Sequence, residues 1–348
     1  MKNIVRNLTL LSCVGSSAFA APFLAIGDNA ELFVTADASA SYNDNILLAP
    51  SGSELEDEIF AFTPGFDLQF GKDSLIKGSL LGTARLTSYS NNTNLNNQLL
   101  GINGLSSYDN GQLKLNAHAS FNELDQPTVD VLPTAGRLVE RHVTAAGFDG
   151  ELGLSEKISI GSGFGYNYVD YKEAGFVGQK DYTVPVNVYY ELTPKVDVSA
   201  GVRYTRSDLE NGISYDAYYY NVGARGSFTP KLSGGFSVGY NTRNASAGPD
   251  DDDSIGADAS LAYAYSEKTQ FTLGLARNFN NAAAGGASYE NTQITLGATT
   301  ALTVDWSLNA SLNYRDLDYL LSGRYDDYIE VVVCARYIII EFLSANLS

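Results

Sequence analysis

Thr193-Pro194-Lys195-Val196-Asp197-Val198-Ser199-Ala200-Gly201-Val202-Arg203-Tyr204 is a short turn followed by a strict alternation. Val196, Val198, Ala200, Val202 and Tyr204 fall on one parity, and Asp197, Ser199, Gly201 and Arg203 on the other. Successive side chains of a strand point to opposite faces, so this period of two predicts a β-strand with one apolar and one hydrophilic face.

The turn recurs. Ser155-Glu156-Lys157 precedes it, and Thr229-Pro230-Lys231 and Ser266-Glu267-Lys268 follow. Two degenerate copies come later, Thr303-Val304-Asp305 and Ile339-Ile340-Glu341, and successive copies lie 36–38 residues apart. A fixed period in this range means one supersecondary unit used repeatedly. Each unit holds two alternating runs. Phe236, Val238 and Tyr240 alternate with Ser237 and Gly239; the returning run holds Ile255, Ala257, Ala259, Leu261, Tyr263 and Tyr265. Trp306, Leu308, Ala310, Leu312 and Tyr314 repeat the pattern. The unit is therefore a hairpin, with a tight turn at one end and a longer polar loop at the other.

Length decides the class. Strands of soluble sheets usually run about 5–6 residues. These runs extend for about 10, which a tilted strand needs to cross a bilayer. The hydrophilic parity is mostly Gly, Ser, Asn and Thr, which suits a wet lumen. The alternative, a secreted β-solenoid or sandwich, shares the alternation but not the length. The pattern predicts an all-β chain: a transmembrane antiparallel up-and-down β-barrel of about 16–18 strands.

Upstream, strands are expected near residues 32–48, 58–71, 75–90, 98–108 and from Leu113 onward. Phe60, Phe62, Phe66, Leu68 and Phe70 share one face of the second. One unit is about ten residues longer than the rest, and the excess lies in residues 126–139, with Pro127 and Pro133. Sixteen strands are complete before Glu341, and Leu343, Ala345 and Leu347 begin a seventeenth. Single-chain bacterial barrels have even strand numbers, so the pattern predicts a C-terminally truncated sequence that lacks the remainder of that strand and an eighteenth.

Residues 1–20 read as a secretory signal peptide: Lys2 and Arg6, an apolar stretch from Leu8 to Val14, and Ala18-Phe19-Ala20 before the cut. Residues 21–30 are then a linker and residues 31–348 the barrel. The chain carries 40 acidic and 22 basic residues, a formal charge of −18, and 23 tyrosines against one tryptophan. Removal of the leader would bring the charge near −20. Of two cysteines, Cys13 leaves with the leader, so Cys334 is expected to stand alone. Two histidines and one thiol do not make a structural zinc site.

Charge is segregated. Lys72, Lys157, Lys195, Lys231 and Lys268 mark the tight turns. Acidic groups crowd the opposite loops: Glu54 to Glu58, Asp208 with Glu210, Asp250 to Asp253, Asp316 with Asp318, and Asp326 with Asp327. Short turns of such barrels face the periplasm, so the outer rim is expected to be acidic. Asp250 to Asp253 could hold calcium, but the spacing of a calcium loop is missing and a solvated loop is the expectation. Gly161-Ser162-Gly163-Phe164-Gly165 looks like a phosphate loop, yet its glycines alternate as strand residues do. Tyr168, Tyr204, Tyr240 and Tyr314 suit an aromatic girdle better than a sugar-stacking path. His118 and His142 could serve a hydrolase, but no Gly-x-Ser-x-Gly elbow marks a nucleophile. The chain is not read as an enzyme, and no catalytic, cofactor-binding or metal residue is assigned.

The Thr-Pro-Lys and Ser-Glu-Lys turns, the strand ends Gly201-Val202-Arg203-Tyr204 and Val238-Gly239-Tyr240-Asn241, and Tyr42-Asn43-Asp44-Asn45 carry a resemblance over about residues 31–348. The chain resembles porin-like outer-membrane β-barrel proteins, some of which accompany exopolysaccharide export systems. The resemblance implies a barrel in the outer membrane, in contact with lipid. No functional residue carries over, and the usual last strand with its terminal aromatic residue is missing. The expected function is passive diffusion of small hydrophilic solutes, with cations preferred at an acidic mouth. An accessory barrel of polysaccharide export and a non-conducting structural or adhesive surface barrel remain open. No nucleic-acid partner is expected, and the oligomeric state is left open.

Overall fold

In the computed structural model, residues 5–6, 22–47, 49, 52–125, 138–246, 252–320, 322–340 and 343–347 are described. Sixteen long strands follow one another up and down: β3 (Ala30–Asn43), β4 (Asp57–Phe70), β5 (Ile76–Tyr89), β6 (Asn97–Asp109), β7 (Leu113–Asp125), β8 (Glu140–Gly153), β9 (Ile158–Tyr171) and β10 (Gln179–Thr193). They continue as β11 (Val196–Leu209), β12 (Ser214–Ser227), β13 (Leu232–Ala245), β14 (Asp252–Ala264), β15 (Thr269–Asn281), β16 (Ser288–Ala301), β17 (Trp306–Tyr319) and β18 (Tyr325–Ile340). Three short strands complete the set: β1 (Val5–Arg6), β2 (Leu24–Ile26) and β19 (Leu343–Leu347). Every neighbouring pair from β2 to β19 for which a register is defined is antiparallel, as in Val202↔Tyr220 and Tyr220↔Tyr240. No helix among the described residues is long and apolar enough to cross a membrane, which says nothing of crossing by strands.

The repeated turn has a local cause. Thr229 Oγ1 accepts from the Lys231 and Leu232 amides, and Ser266 Oγ from those of Lys268 and Thr269. Ser155 and Thr303 do the same for the residues two and three ahead. Each hydroxyl replaces a backbone acceptor at the point where the ladder ends. The opposite end shows a related effect. The first long strand stops at Asn43 rather than at residue 48. The Asn43 side chain accepts from the Asn45 amide, and the Asn45 side chain bonds both backbone groups of Ala49.

One face of the sheet carries Val34, Phe60, Phe62, Val186, Val188, Val222, Phe236, Val238, Val331 and Val333, all exposed. A continuous exposed apolar band of this kind is the lipid-facing surface of a barrel. The other face is concave, because side chains from well-separated strands meet across it. Arg225 on β12 reaches Glu151 on β8 at 2.6 Å. Four strand spacings, about 19 Å along a sheet, separate them. Such a contact requires strong curling.

The seam lies between β18 and β3. β2 pairs with the start of β3, Leu24↔Leu32 through Ile26↔Ala30. β19 pairs with the end of β18, Ala335↔Leu347 through Ile340↔Leu343. Both short strands therefore sit at the tight-turn end. Their directions would continue the antiparallel order as β18, β19, β2, β3, an even ring of eighteen positions. No register joins β19 to β2 among the described residues. At the loop end of β18, β1 pairs in parallel with Tyr328 and Ile329.

Four expectations need correction or qualification, or fall outside. Residues 21–30 are not a plain linker, since β2 folds back on β3 within them. Cys334 is disulfide-bonded in the chain with its first twenty residues attached, whereas the expectation of a lone thiol concerns the chain after their removal. The acidic groups Asp208, Asp252, Asp253, Asp316, Asp318, Asp326 and Asp327 belong to strand ends rather than loops. The cleavage site at Ala18-Phe19-Ala20, the long insertion up to residue 137, Asp250, Asp251 and Glu341 lie outside the described residues.

Candidate functional site

The hydrophilic parity of the central strands builds a network on the concave face. Arg225 stacks on the Tyr189 ring, 3.5 Å from its centre, and bonds Glu151 and Asp197. Ser159 Oγ donates to Glu151 at 2.6 Å. One charge-assisted node thus ties β8, β9, β10, β11 and β12. Higher toward the loop end, Arg203 lies over Tyr219 and pairs with Asp258 of β14 at 3.2 Å. Arg243 lies over Tyr215 and donates to Asn281 and Ser288. Three arginines and three tyrosines therefore line one side of the interior, each guanidinium covering one of the tyrosine rings.

The loop end is strapped. Residues 172–178, after β9, meet residues 282–287, after β15. Six strand spacings, about 29 Å along the sheet, lie between their parent strands. The Val177 amide donates to the Ala283 carbonyl at 2.8 Å, and Phe176 and Ala284 form an antiparallel bridge. Asn281 Nδ2 donates to Gln179 Oε1 at 3.0 Å. Val139 and Ala283 are buried together with Tyr171 and Phe176 packed against them. Gly285 and Gly286 turn the strap with φ of 75° and 73°. A Cβ on Gly286 would stand 2.7 Å from Leu209 Cδ2, so only glycine lets the strap approach β11. Sequence reasoning missed this strap. Its signal was the run Ala282-Ala283-Ala284, matched by Phe176-Val177 in the facing segment.

The structure separates residues that the sequence placed side by side. Asp253 faces outward, where Tyr240 donates to it, whereas Asp252 falls on the inward parity. Tyr42, Tyr168, Tyr204 and Tyr314 likewise donate to Glu56, Glu210, Asp216 and Asp327, at 2.5–2.9 Å. These tyrosines sit on the lipid-facing parity near the loop end and form a girdle, each phenol fixed by a carboxylate. The rim acids are accordingly partnered: Asp208 also binds Arg206 at 2.9 Å, and Asp326 binds Arg324. Gly161, Gly163 and Gly165 lie within β9 on the inward parity, and the Tyr189 ring packs against Gly161. His118 faces inward and His142 outward, the latter 3.5 Å from Glu140, so the two cannot act together. Among the described residues no group of three or more His, Cys, Asp or Glu converges as metal ligands.

Residues 209–348, less than half of the chain, match the family model described as "Putative beta-barrel porin 2". No curated protein matches the chain. Among solved structures, the FrpB iron transporter from Neisseria meningitidis superposes with a TM-score of 0.52 at 11% identity, over 89% of this chain and 63% of that one. The ferric enterobactin receptor PfeA from Pseudomonas aeruginosa gives 0.46 at 10% identity, over 88% and 59%. A bacterial polysaccharide outer membrane secretin gives 0.43 at 10% identity, over 93% and 99%. The chain thus spans about three fifths of the length of FrpB and of PfeA. The likeness to FrpB is one of fold, and with the two-faced sheet it makes this chain a β-barrel of the outer-membrane type whose residues 209–348 resemble the porin family.

Proposed function

We propose that the chain is an outer-membrane channel through which small hydrophilic solutes diffuse passively, with cations preferred. The observation that carries this reading is the two-faced sheet: an exposed apolar band outside and a concave face of Gly, Ser, Asn, Thr and charged groups inside. About eighteen strand positions enclose an aqueous channel rather than a packed core. Residues 1–20 act as its export signal. The preference for cations follows from the acidic balance of the chain and from inward carboxylates such as Glu31, Asp37, Asp149 and Asp181. The inward tyrosines Tyr189, Tyr215 and Tyr219 are covered by arginines, which leaves those rings unavailable as a sliding surface for a polysaccharide.

Single-channel recording of the full chain in planar bilayers tests the reading. Discrete conductance steps and a reversal potential of cation sign in a salt gradient are expected. Absence of any conductance would overturn the channel in favour of a structural barrel, and anion selectivity would overturn the charge argument. Block by a polysaccharide would favour export. N-terminal sequencing of outer-membrane fractions should begin at Ala21.

A further inference from the structure

At the tight-turn end, opposite the strap, the inner sides of β3 to β7 enclose a cavity of about 830 Å³ lined by Asp28, Glu31, Lys72 and Lys77 among others. On the side of the concave face below the strap, Arg225 pairs with Glu151 and Arg203 with Asp258. Among the described residues, Asp28, Glu31, Lys72 and Lys77 make no ion pair and no side-chain hydrogen bond. Charges of both signs line one cavity without meeting each other. Asn116 and Gln69 add amides to the wall, already oriented by Asp149 and Asp67 at 2.8 Å, and Phe33 and Leu105 add apolar surface.

We propose that this cavity binds a small zwitterion, a short peptide with a free ammonium and a free carboxylate, on its way through the barrel. A ligand of one sign would be attracted by one pair of groups and repelled by the other. An uncharged sugar would meet none of the four charges with a charge of its own. A zwitterion answers both at once: Lys72 and Lys77 meet the carboxylate, and Asp28 and Glu31 meet the ammonium. The volume falls within the range that holds a ligand of this size, and the apolar wall takes an uncharged side chain. The inference rests on the channel reading for its lumen being wet, and it deepens that reading by naming the solute class.

The test uses the full chain, purified in detergent, and isothermal titration with trialanine. Three control ligands are N-acetyl-trialanine, trialanine amide and maltotriose. Saturable binding of trialanine is expected, with each singly charged form at least fivefold weaker and maltotriose giving none. Lys77→Met should lose the advantage of trialanine over its amide, and Glu31→Gln the advantage over the N-acetyl form. Equal binding of all three peptides, binding of maltotriose, or no binding of trialanine would overturn the proposal. The ligand series needs no variant, so a folding defect cannot mask the outcome. Binding is read without current. A barrel that conducts and does not bind trialanine defeats this inference alone; one that binds and does not conduct defeats the channel reading alone.

Discussion

Replacing Arg225 by Gln should make the pore more selective for cations. Arg225 bonds Glu151 at 2.6 and 2.8 Å and Asp197 at 3.0 Å, so the node carries one net negative charge, and the substitution leaves two. A monovalent cation passing about 5 Å away gains a further ~0.8 kcal/mol of attraction in a water-like dielectric, roughly a fourfold rise in local concentration. With a Debye length of about 10 Å at 0.1 M, screening reduces the gain to about 0.5 kcal/mol, or roughly 2.4-fold. At 1 M, where the length is about 3 Å, it falls to roughly 1.3-fold. The assay is the reversal potential of Arg225→Gln against the parent in planar bilayers, across a salt gradient centred at each concentration. Anions are repelled by the same energy, so the cation-to-anion permeability ratio should rise about 6-fold at 0.1 M and less than 2-fold at 1 M. Glu151→Gln should move it the other way. The Arg225 side chain is about a third exposed, so little stability is at stake and folded barrel should be recovered. An unchanged ratio at low salt, or a shift that persists undiminished at 1 M, would refute the placement of this node on the conducting path.

Three further outcomes follow from the two faces and the turns. Val238→Arg places a charge at the middle of β13 on the lipid-facing side and should cost about 2–4 kcal/mol, seen as loss of the folded band in semi-native electrophoresis; Ser260→Arg, on the inward parity, should be tolerated. Gly286→Val cannot adopt the strap's φ of 73° without strain and meets Leu209, so it should release the strap from β11 and raise the single-channel conductance; an unchanged or smaller step would count against the strap as the constriction. Thr229→Ala removes the acceptor of the Lys231 and Leu232 amides and should lower stability by at most about 1 kcal/mol, read as a shift in the urea midpoint of refolding into detergent micelles, because water can replace the hydroxyl at an exposed turn.

The sequence by itself determined the strands, their order and their two faces. Alternation is a local property: the parity of Val196 to Tyr204 assigns every side chain of β11 to a face without reference to any other strand. The turns were legible for the same reason, since Thr229 and Ser266 bond only residues two and three ahead. At the other end, Asn43 and Asn45 ended the first strand early by equally local bonds, and reading that strand on to residue 48 overlooked them. What only the tertiary structure decided is what meets across the curl. Arg225 and Glu151 are 74 residues apart and four strands removed; nothing in either strand's pattern selects the other. The strap between residues 172–178 and 282–287, the folding back of Leu24–Ile26 on β3, and the unpaired charges of the inner cavity depend likewise on curvature and stagger. Those accumulate from the registers of many strand pairs, so a period-two reading that fixes which way a side chain points cannot fix which distant side chain it will touch.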